Sequence, residues 1–470
     1  MHKDLPTTAL EPTILVIFGI TGDLAERKVL PALYHLFAND LVHPQTYLVG
    51  TSRRDISVAD ILKRIEHAVT AHTDGFDPAV LQKMATHFSM LKVDPTVDAD
   101  YAQLRDRLQQ IEDKAGVCLH RLFYLSIPPQ VYGGIVQRLG QNGLNTGCSH
   151  GVTASRLLVE KPFGYDLHSA QELISKTSEH FSEEQIFRID HYLAKETAQN
   201  ILTFRQHNPL FNQIWNHRHI TGVSITAIES IGIEGRGNFY EHVGALRDLV
   251  QSHLMQLLSL TLLDIPSDMT ADAIHKAKQS VLDSITPVPA DQVANRSVRG
   301  QYQTYREEVH NPDSTTETYA SLVLYSQDPR WEGVPLKLTT GKALKIKRTS
   351  ITVDFGDQPH SNRLQFRLQP NEGITLALRV KKPGLTSAME ETTMDFAYHT
   401  AFQAHSPRDA YERVLIEAIR GDHLLFATDE EVLASWRILQ PLLDEWAKSS
   451  ADLVIYPSGS DGPDTSKLIP

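Results

Sequence analysis

The segment from Arg188 to Glu196, with the sequence RIDHYLAKE, concentrates charged and titratable side chains that could perform chemistry. The residues that follow are good helix formers. The spacing therefore predicts a helix on which His191 and Lys195, at positions i and i+4, share one face. An imidazole and a cation on one patch suit an anionic ligand, most naturally a phosphate. Asp190 is expected to point elsewhere and could orient a different histidine. The structural alternative is a solvated helix start.

A glycine turn follows the first apolar run of the chain. Residues 13–18 (TILVIF) predict a strand buried on both faces, and residues 19–25 (GITGDLA) follow it and open a helix. Gly19 permits a tight turn, Gly22 permits close backbone approach, and the helix N-terminus offers N–H groups to a pyrophosphate. The pattern is a variant of the dinucleotide-binding fingerprint, and a plain glycine turn is the alternative.

The second predicted strand, 47–50, runs into Arg53 and Arg54. Proteins that bind NAD usually place an acidic residue here, which binds the ribose hydroxyls. A guanidinium group suits a 2′-phosphate instead, so NADP is the expected cofactor. Two solvated loop arginines are the alternative.

The sequence EKPFG at 160–164 ends the last predicted parallel strand. Ligands of open α/β sheets bind at the carboxyl ends of the strands, so Lys161 is well placed to reach both cofactor and substrate. The Lys161–Pro162 peptide bond could be cis, because a peptide bond that precedes a proline tolerates the cis isomer. An ordinary loop is the alternative.

Asp248 and His253 fall on a helix predicted to begin near Tyr240. On an α-helix this spacing is about 140° of rotation, so the two side chains would not face each other but could border one pocket. His253 has apolar neighbours. It is either a hydrogen-bonded core histidine or, with a carboxylate to fix its tautomer, a general base. The cation-rich segment 341–348 (GKALKIKR) is either a solvated hairpin edge or a segment that closes over a phosphate.

Two kinds of scaffold must position these residues. Strands alternate with helices to about residue 185, which indicates a mostly parallel sheet in a Rossmann-like α/β domain. Beyond that, period-two alternation predicts a β+α domain with a mainly antiparallel sheet, covered by helices at 240–263, 407–420 and 430–448. The predicted domains are 1–187 and 188–470. The polar tail after Tyr456 is expected to be mobile.

Composition excludes several classes of function. The 470 residues carry a formal net charge of −12 and no long basic run, which argues against nucleic acid as a partner. Two cysteines are too few for a disulfide framework and are consistent with a reducing cytoplasm. The N-terminus has no secretory signal pattern, and charges interrupt the most apolar stretch at 246–263, so no membrane association is expected. No HExxH or CxxC pattern accompanies the histidines, so no metal site is expected.

With these motifs in view, the chain resembles the glucose-6-phosphate dehydrogenase family. The segment RIDHYLAKE is the most specific element of the likeness, and the glycine turn alone would not carry it. The likeness covers nearly the whole chain through further motifs: EKPFG at 160–164, EGRG at 234–237, RDLVQSHLMQ at 247–256, GKAL at 341–344, QPNE at 369–372, KKPG at 381–384, DAYERVL at 409–415 and WRI at 436–438.

The resemblance implies a Rossmann-like NADP-binding domain followed by a β+α substrate and dimerisation domain. Family members dimerise through the large sheet of the second domain, and some dimers pair into tetramers, so a homodimer or homotetramer is expected. The implied activity is oxidation of D-glucose 6-phosphate at C1 to 6-phosphoglucono-1,5-lactone with hydride transfer to NADP. This is the first step of the oxidative pentose phosphate pathway.

The resemblance also implies roles for individual residues. His253 would be the base that takes the C1 hydroxyl proton, with Asp190 as its carboxylate partner. The phosphate of the sugar would contact His191, Tyr192 and Lys347. The sugar itself would be positioned by Lys195, Glu229, Asp248 and Lys342, and Lys161 would contact both sugar and cofactor. Cofactor binding is expected from the glycine turn and nearby residues: Gly19, Thr21, Gly22, Asp23, Leu24, Lys28, Arg53 and Tyr132.

The sequence departs from the family pattern in several respects, including a loop at 146–154 that is longer than usual. Thr352 stands where animal members use an arginine for a second, structural NADP, and the tail lacks their tryptophan, so that second site is in doubt. Thr21 also occurs in members that accept NAD, which weakens strict preference for NADP.

Two alternative functions share some of these sequence features. Oxidoreductases of the glucose–fructose oxidoreductase type also carry Glu-Lys-Pro but do not need RIDHYLAKE. A non-catalytic NADP-binding regulator should have lost the base or its partner, yet both Asp190 and His253 are present.

Overall fold

A computed structural model describes residues 10–71, 75–148, 154–356, 361–402 and 409–468. The strands within these ranges are Thr13–Phe18 (β1), Thr46–Ser52 (β2), Phe88–Lys92 (β3), His120–Leu125 (β4), Ser155–Val159 (β5), Ile186–Ile189 (β6), Ile220–Ile228 (β7), Ile285–Thr286 (β8), Ser297–Tyr302 (β9), Tyr319–Ser326 (β10), Leu336–Gly341 (β11), Arg348–Phe355 (β12), Asn362–Gln369 (β13), Gly373–Lys381 (β14), Met389–Ala397 (β15), Phe426–Ala427 (β16) and Leu453–Tyr456 (β17).

The α-helices within the same ranges are Leu30–Ala38 (α1), Val58–Thr70 (α2), Pro78–His87 (α3), Asp98–Ala115 (α4), Tyr132–Gln141 (α5), Leu167–Ser178 (α6), Glu196–His207 (α7), Pro209–Asn212 (α8), Gly237–Ala245 (α9), Met255–Leu262 (α10), Ala271–Ser284 (α11), Val293–Arg296 (α12), Tyr305–Glu308 (α13), Tyr398–Ala401 (α14), Ala410–Arg420 (α15) and Asp429–Lys448 (α16). Two segments have π-helical hydrogen bonding, Ala25–Val29 and Leu246–Leu254. Among the described residues, each helix is either too short or too polar to span a membrane.

The chain folds into two compact units. The first contains residues 1–164, 168–194 and 408–429, and the second contains 165–167, 195–407 and 430–470. The sequence-based division has a single boundary after residue 187. The structure differs from it mainly in the return of 408–429 to the first unit.

The first unit is built on a seven-stranded sheet in the order β16-β6-β5-β4-β1-β2-β3. All strand pairs are parallel except the short β16–β6 pair. Every residue of β1 is buried, and Leu15 lies between Leu48 of β2 and Leu122 of β4. Because both faces of this strand are covered, its sequence is continuously apolar. The predicted Rossmann-like α/β fold is confirmed.

The predicted helix at 407–420 was assigned to the wrong sheet. Helix α15 packs its apolar face, including Val414 and Leu415, into the core of the first unit. The Arg156 guanidinium also donates to the carbonyl oxygens of Ala418 and Ile419 at the end of this helix. Its amphipathic pattern shows that one face is buried, but it does not say which sheet covers that face.

The second unit is built on a ten-stranded sheet in the order β15-β14-β13-β12-β7-β11-β10-β9-β17, with β8 paired to β10. Most of its strand pairs are antiparallel, and the parallel pairs are β7–β11 and β9–β17. This confirms the predicted mainly antiparallel sheet. Strand β15 lies at one edge and is largely exposed.

Two local predictions differ from the structure. The predicted helix across 188–196 is instead strand β6, then a turn, then helix α7 from Glu196. A side-chain oxygen of Asp190 accepts the backbone N–H of Tyr192 at 2.9 Å, and this local bond competes with helix formation. The described part of the tail, residues 457–468, packs against the second unit: the Ser460 carbonyl accepts the Lys345 N–H at 2.8 Å, and Leu468 is buried.

Cys118 and Cys148 form one disulfide in the first unit, with Cα atoms 5.6 Å apart. The cysteine count correctly excluded a disulfide framework, but two cysteines are enough for a single bridge. The expectation of a reducing environment therefore draws no support from the state of these two residues.

Candidate active site

The glycine turn of the first unit is tight and packs closely against the end of β4. Gly19 has φ of +76°, and a Cβ there would lie 2.4 Å from the Ser126 carbonyl oxygen. The Gly22 N–H donates to the Gly19 carbonyl at 2.8 Å and closes the turn. A side chain at position 19 would thus be strained and would clash with the end of β4. Thr21 and Leu24 are half-buried, and Asp23 is exposed beside Arg27.

The remaining cofactor candidates divide into exposed cations and a buried tyrosine. Arg53 and Arg54 are exposed just after β2, and Lys28 lies 3.6 Å from the carboxylate of Asp409. Tyr132 is buried, and its hydroxyl donates to the Glu160 carbonyl at 3.0 Å. This geometry gives Tyr132 the added task of joining α5 to the end of β5.

The end of β5 holds a buried carboxyl beside Lys161. The Tyr124 hydroxyl donates to the Glu160 carboxyl at 2.6 Å, and Tyr411 also bonds to it. Burial raises the pKa of Glu160 to about 7, although Tyr124 and Lys161 lower it and nearby Asp190 raises it further. Lys161 is half-buried, and the Lys161–Pro162 bond is cis as predicted. The first unit thus brings Glu160, Lys161 and Asp190 within electrostatic reach of one another.

The turn after β6 fixes Asp190 firmly. Its side chain accepts the Tyr192 N–H and its carbonyl accepts the Leu193 N–H at 3.0 Å, and the residue is 1% exposed. The half-buried His191 ring lies 5.0 Å from the Tyr192 ring and stacks 6.4 Å from the Tyr411 ring. Lys195 is the N-cap residue of α7, so His191 and Lys195 do not share a helix face.

Lys195 belongs to the second unit, where its ammonium group donates to the Gln369 side chain at 2.8 Å. Burial raises the pKa of the nearby Glu372 carboxyl, and Lys195 partly offsets that rise. Two residues of the QPNE segment at 369–372 therefore lie near this lysine.

Asp248 and His253 occupy the π-helical segment Leu246–Leu254. The Met255 N–H bonds to the Val250 carbonyl, which is the i→i+5 pattern of a π-helix. A π-helix has more residues per turn than an α-helix, so residues five positions apart are closer in angle than α-helical winding implies. The predicted 140° separation assumed α-helical winding, which this segment does not have. His253 is 1% exposed and Asp248 is half-buried.

A third group of candidates lies at the ends of β7 and β11. Lys342 is 3% exposed and forms an ion pair with Glu229, which is half-buried. Its ammonium group also lies 5.3 Å from the centre of the Tyr240 ring. Tyr240 has a pKa well above its ordinary value, because it is buried and lies near the carboxylates of Asp248 and Glu317. Lys347 is exposed beyond these residues.

Within the second unit, Asp248, Glu229 and Lys342 thus converge around Tyr240. The sequence did not identify Tyr240 or Glu317 as site residues. It also did not predict that the Glu160 carboxyl is buried. Glu160 lies within a recognised motif, and its position at the end of a buried strand could have indicated burial. Tyr240 and Glu317 carry no comparable signal, because their importance comes from contacts between distant segments.

A Rossmann-like sheet with a glycine turn, joined to a unit with a mainly antiparallel sheet, defines the class of two-domain oxidoreductases that bind a nicotinamide dinucleotide. Family comparisons narrow the class. The model for the "Glucose-6-phosphate dehydrogenase, NAD binding domain" matches residues 16–200, and that for the C-terminal domain matches 202–469. The chain belongs to the glucose-6-phosphate dehydrogenase family, as the sequence motifs indicated.

Full-length relatives agree with the family models. Glucose-6-phosphate 1-dehydrogenase of Chlamydia pneumoniae is 39% identical, over 96% of this chain and 93% of the relative. Glucose-6-phosphate 1-dehydrogenase 2 of Mycobacterium tuberculosis H37Rv is 38% identical, over 99% and 94%.

Solved structures show the same likeness. A glucose-6-phosphate dehydrogenase in complex with glucose-6-phosphate has a TM-score of 0.90 and 31% identity, over 98% of this chain and 97% of that one. The Mycobacterium avium glucose-6-phosphate 1-dehydrogenase has a TM-score of 0.82 and 33% identity, over 96% of each chain. A 3-ketoreductase from Actinomadura kijaniata has a TM-score of 0.51 and 15% identity, and this likeness shows a shared fold alone.

Proposed function

We propose that the protein oxidises D-glucose 6-phosphate at C1 to 6-phosphoglucono-1,5-lactone, the first step of the oxidative pentose phosphate pathway. The observation that carries this proposal is the placement of His253. It is a nearly inaccessible imidazole, one π-helical turn from Asp248, in a chain of the glucose-6-phosphate dehydrogenase family.

The reaction removes a proton and a hydride from the sugar. His253 takes the proton of the C1 hydroxyl as the C1 carbonyl forms, and Asp190 stabilises the resulting imidazolium. A nicotinamide dinucleotide held at the glycine turn of the first unit would supply the acceptor for the hydride that leaves C1. Burial supports these roles, because a fixed imidazole loses little time in unproductive orientations.

Substrate recognition is assigned by charge and position. His191, Tyr192 and Lys347 contact the phosphate, while Lys195, Glu229, Asp248 and Lys342 position the sugar. The ion pair between Glu229 and Lys342 gives a donor and an acceptor side by side, which suits sugar hydroxyls.

For the cofactor we propose NADP, with NAD accepted less well. The tight turn at Gly19 leads into the helical segment that follows it, whose first N–H groups suit a pyrophosphate, and Gly22, Thr21, Asp23 and Leu24 complete the proposed contact. Arg53 binds the 2′-phosphate. The other proposed cofactor contacts are Lys28, Tyr132 and Lys161.

We propose a cytoplasmic homo-oligomer, a homodimer or homotetramer. The exposed edge of the large sheet supports association there, because Val380, Met389 and Met394 expose apolar side chains on β14 and β15. Light scattering on the parent and on Met394→Asp tests this: the variant should shift toward a smaller assembly, and an unchanged mass would place the contact elsewhere.

The activity is tested by following NADPH absorbance with the purified protein and glucose 6-phosphate, glucose or no sugar. We expect rapid reduction of NADP with glucose 6-phosphate and not in the other two conditions. Equal rates with both sugars would favour an oxidoreductase for unphosphorylated sugars. NADP binding without reduction would favour a non-catalytic regulator.

A further inference from the structure

Glu317 holds the start of the helical segment that carries the proposed base. It lies just before β10 and is 5% exposed. Its side-chain Oε1 accepts the Leu246 N–H at 3.0 Å, and its backbone carbonyl accepts the Ala245 N–H at 2.9 Å. These donors open the π-helical segment Leu246–Leu254, where N–H groups lack partners within the helix. Glu317 thus satisfies two consecutive donors from outside.

The backbone turns sharply to make these contacts. Gly244 has φ of +67°, a conformation that favours glycine, and a Cβ there would lie 2.5 Å from Glu317 Oε1. The main chain therefore packs directly against the carboxylate. The direction in which Leu246–Leu254 leaves this turn depends on where that carboxylate is held.

The residue after Glu317 connects the same point to Lys342. The Lys342 N–H donates to the Thr318 carbonyl at 2.9 Å. The Tyr456 hydroxyl lies 2.9 Å from Thr318 Oγ1 and donates to the Lys342 carbonyl at 2.7 Å. Glu317 and Thr318 therefore hold the segment with Asp248 and His253 on one side and Lys342 on the other.

We propose that Glu317 is a positioning residue for the oxidation step, which fixes Asp248 and His253 relative to Lys342 by accepting the Leu246 N–H. This inference rests on the proposed function. Glu317 does not touch the reacting atoms; it acts through the backbone. What it must supply is an acceptor oxygen at the correct distance, not a negative charge.

Two conservative variants separate these properties. Glu317→Gln keeps the length and the acceptor oxygen but removes the charge, whereas Glu317→Asp keeps the charge and withdraws the acceptor. Glu317→Asp should lower kcat with glucose 6-phosphate by ~10–100-fold, since misplacement of catalytic groups by about 1 Å costs that order. Glu317→Gln should stay within about threefold of the parent, and both should keep the parental KM for NADP.

Glu241→Gln is the matched control. Glu241 lies on α9 in the same region and accepts bonds from Tyr305, Asn311 and Ser314. Glu241→Gln should lower the melting temperature without lowering kcat, because a residue with a purely structural role affects stability and not turnover. If Glu317→Asp does not fold, Gly244→Ala disturbs the same contact and should give the same fall in kcat.

A kcat of Glu317→Asp within twofold of the parent would overturn the inference, as would equal losses in the Gln and Asp variants. An inactive parent protein would instead refute the proposed function. The two failures are therefore distinguishable.

Discussion

Each unit buries a glutamate, and the two have opposite acid–base behaviour. Glu160 in the first unit is bonded by tyrosine hydroxyls, and burial raises its pKa to about 7. Glu431 in the second unit is bonded by Lys278 at 2.8 Å and by His275 at 2.9 Å. Burial alone would raise the pKa of Glu431, but these two partners lower it to about 2.

The difference shows that burial alone does not fix protonation. Neutral partners leave Glu160 able to change charge near neutral pH, beside Lys161 and Asp190. Cationic partners keep Glu431 charged, and its bond with Gln256 at 3.1 Å ties α16 to the helix that follows His253. The Glu160 carboxyl can therefore change its protonation near neutral pH, whereas the Glu431 carboxylate stays charged and links α16 to α10.

The largest expected effect is the loss of the Glu431 charge. Glu431→Gln leaves Lys278, which is 0% exposed, as an uncompensated buried cation, at a cost of about 3–5 kcal/mol in unfolding free energy. Chemical denaturation measures this, with the exposed neighbour Glu430→Gln as control. Because the folded pKa is depressed, the contribution is present above pH 4.5 and is lost as pH falls toward 2. A variant as stable as the control would contradict the comparison.

A smaller effect, of opposite sign with pH, is expected at Glu160. Its folded pKa of about 7 lies above the usual 4.5, so the protonated form is favoured in the fold. Stability should therefore fall as pH rises from 4.5 to 7, by up to about 3 kcal/mol. Glu160→Gln should remove that fall, whereas the exposed Glu179→Gln should keep it. Parallel pH profiles for parent and Glu160→Gln would place the titration elsewhere.

Phosphate recognition extends the comparison to exposed cations. Lys347→Ala should weaken use of glucose 6-phosphate by roughly ten- to a hundredfold in kcat/KM, because a charge-assisted phosphate contact contributes about 1.5–3 kcal/mol. The poor rate with glucose should barely change, and Lys345→Ala, an exposed lysine of the same segment, should behave like the parent. A parallel fall for both sugars would assign Lys347 to the hydride step or to folding.

The corresponding contact in the first unit is expected to have an effect of similar size, measured as a ratio between cofactors. Replacing Arg53 and Arg54 by Ala should raise the Kd for NADP about ten- to a hundredfold and leave NAD nearly unchanged. Titration of both cofactors, with the exposed Arg105→Ala as control, gives the ratio. Equal weakening of both would indicate general damage.

Much of the first unit could be predicted because its strands are buried on both faces. The apolar run of β1 has the same bounds in prediction and structure. Strand β3 was missed: it lies at the sheet edge, and FSMLK lies mostly outside full burial, so its pattern is weak. Helix α15 belongs to this unit because it packs against residues that are distant in sequence, and no local sequence pattern predicts such contacts.

In the second unit, most strands were predicted from alternation, but the geometry of the site was not. The π-helical winding of Leu246–Leu254 shares its apolar pattern with an α-helix, so the sequence could not distinguish them. The turn at Asp190 overrode the helix propensity of the following residues through one side-chain bond. Glu317 joins segments about seventy residues apart, which only the fold reveals.

The most direct test of the account is a double-mutant cycle on kcat with His253→Asn, Asp190→Asn and the double variant. His253→Asn should lose ~10²–10⁴-fold while still binding glucose 6-phosphate, as removal of a general base does. Asp190→Asn should lose less. If Asp190 acts through His253, the double variant should be no slower than His253→Asn alone. Multiplied losses, or more than a tenth of parental turnover in His253→Asn, would contradict the assignment of this pair.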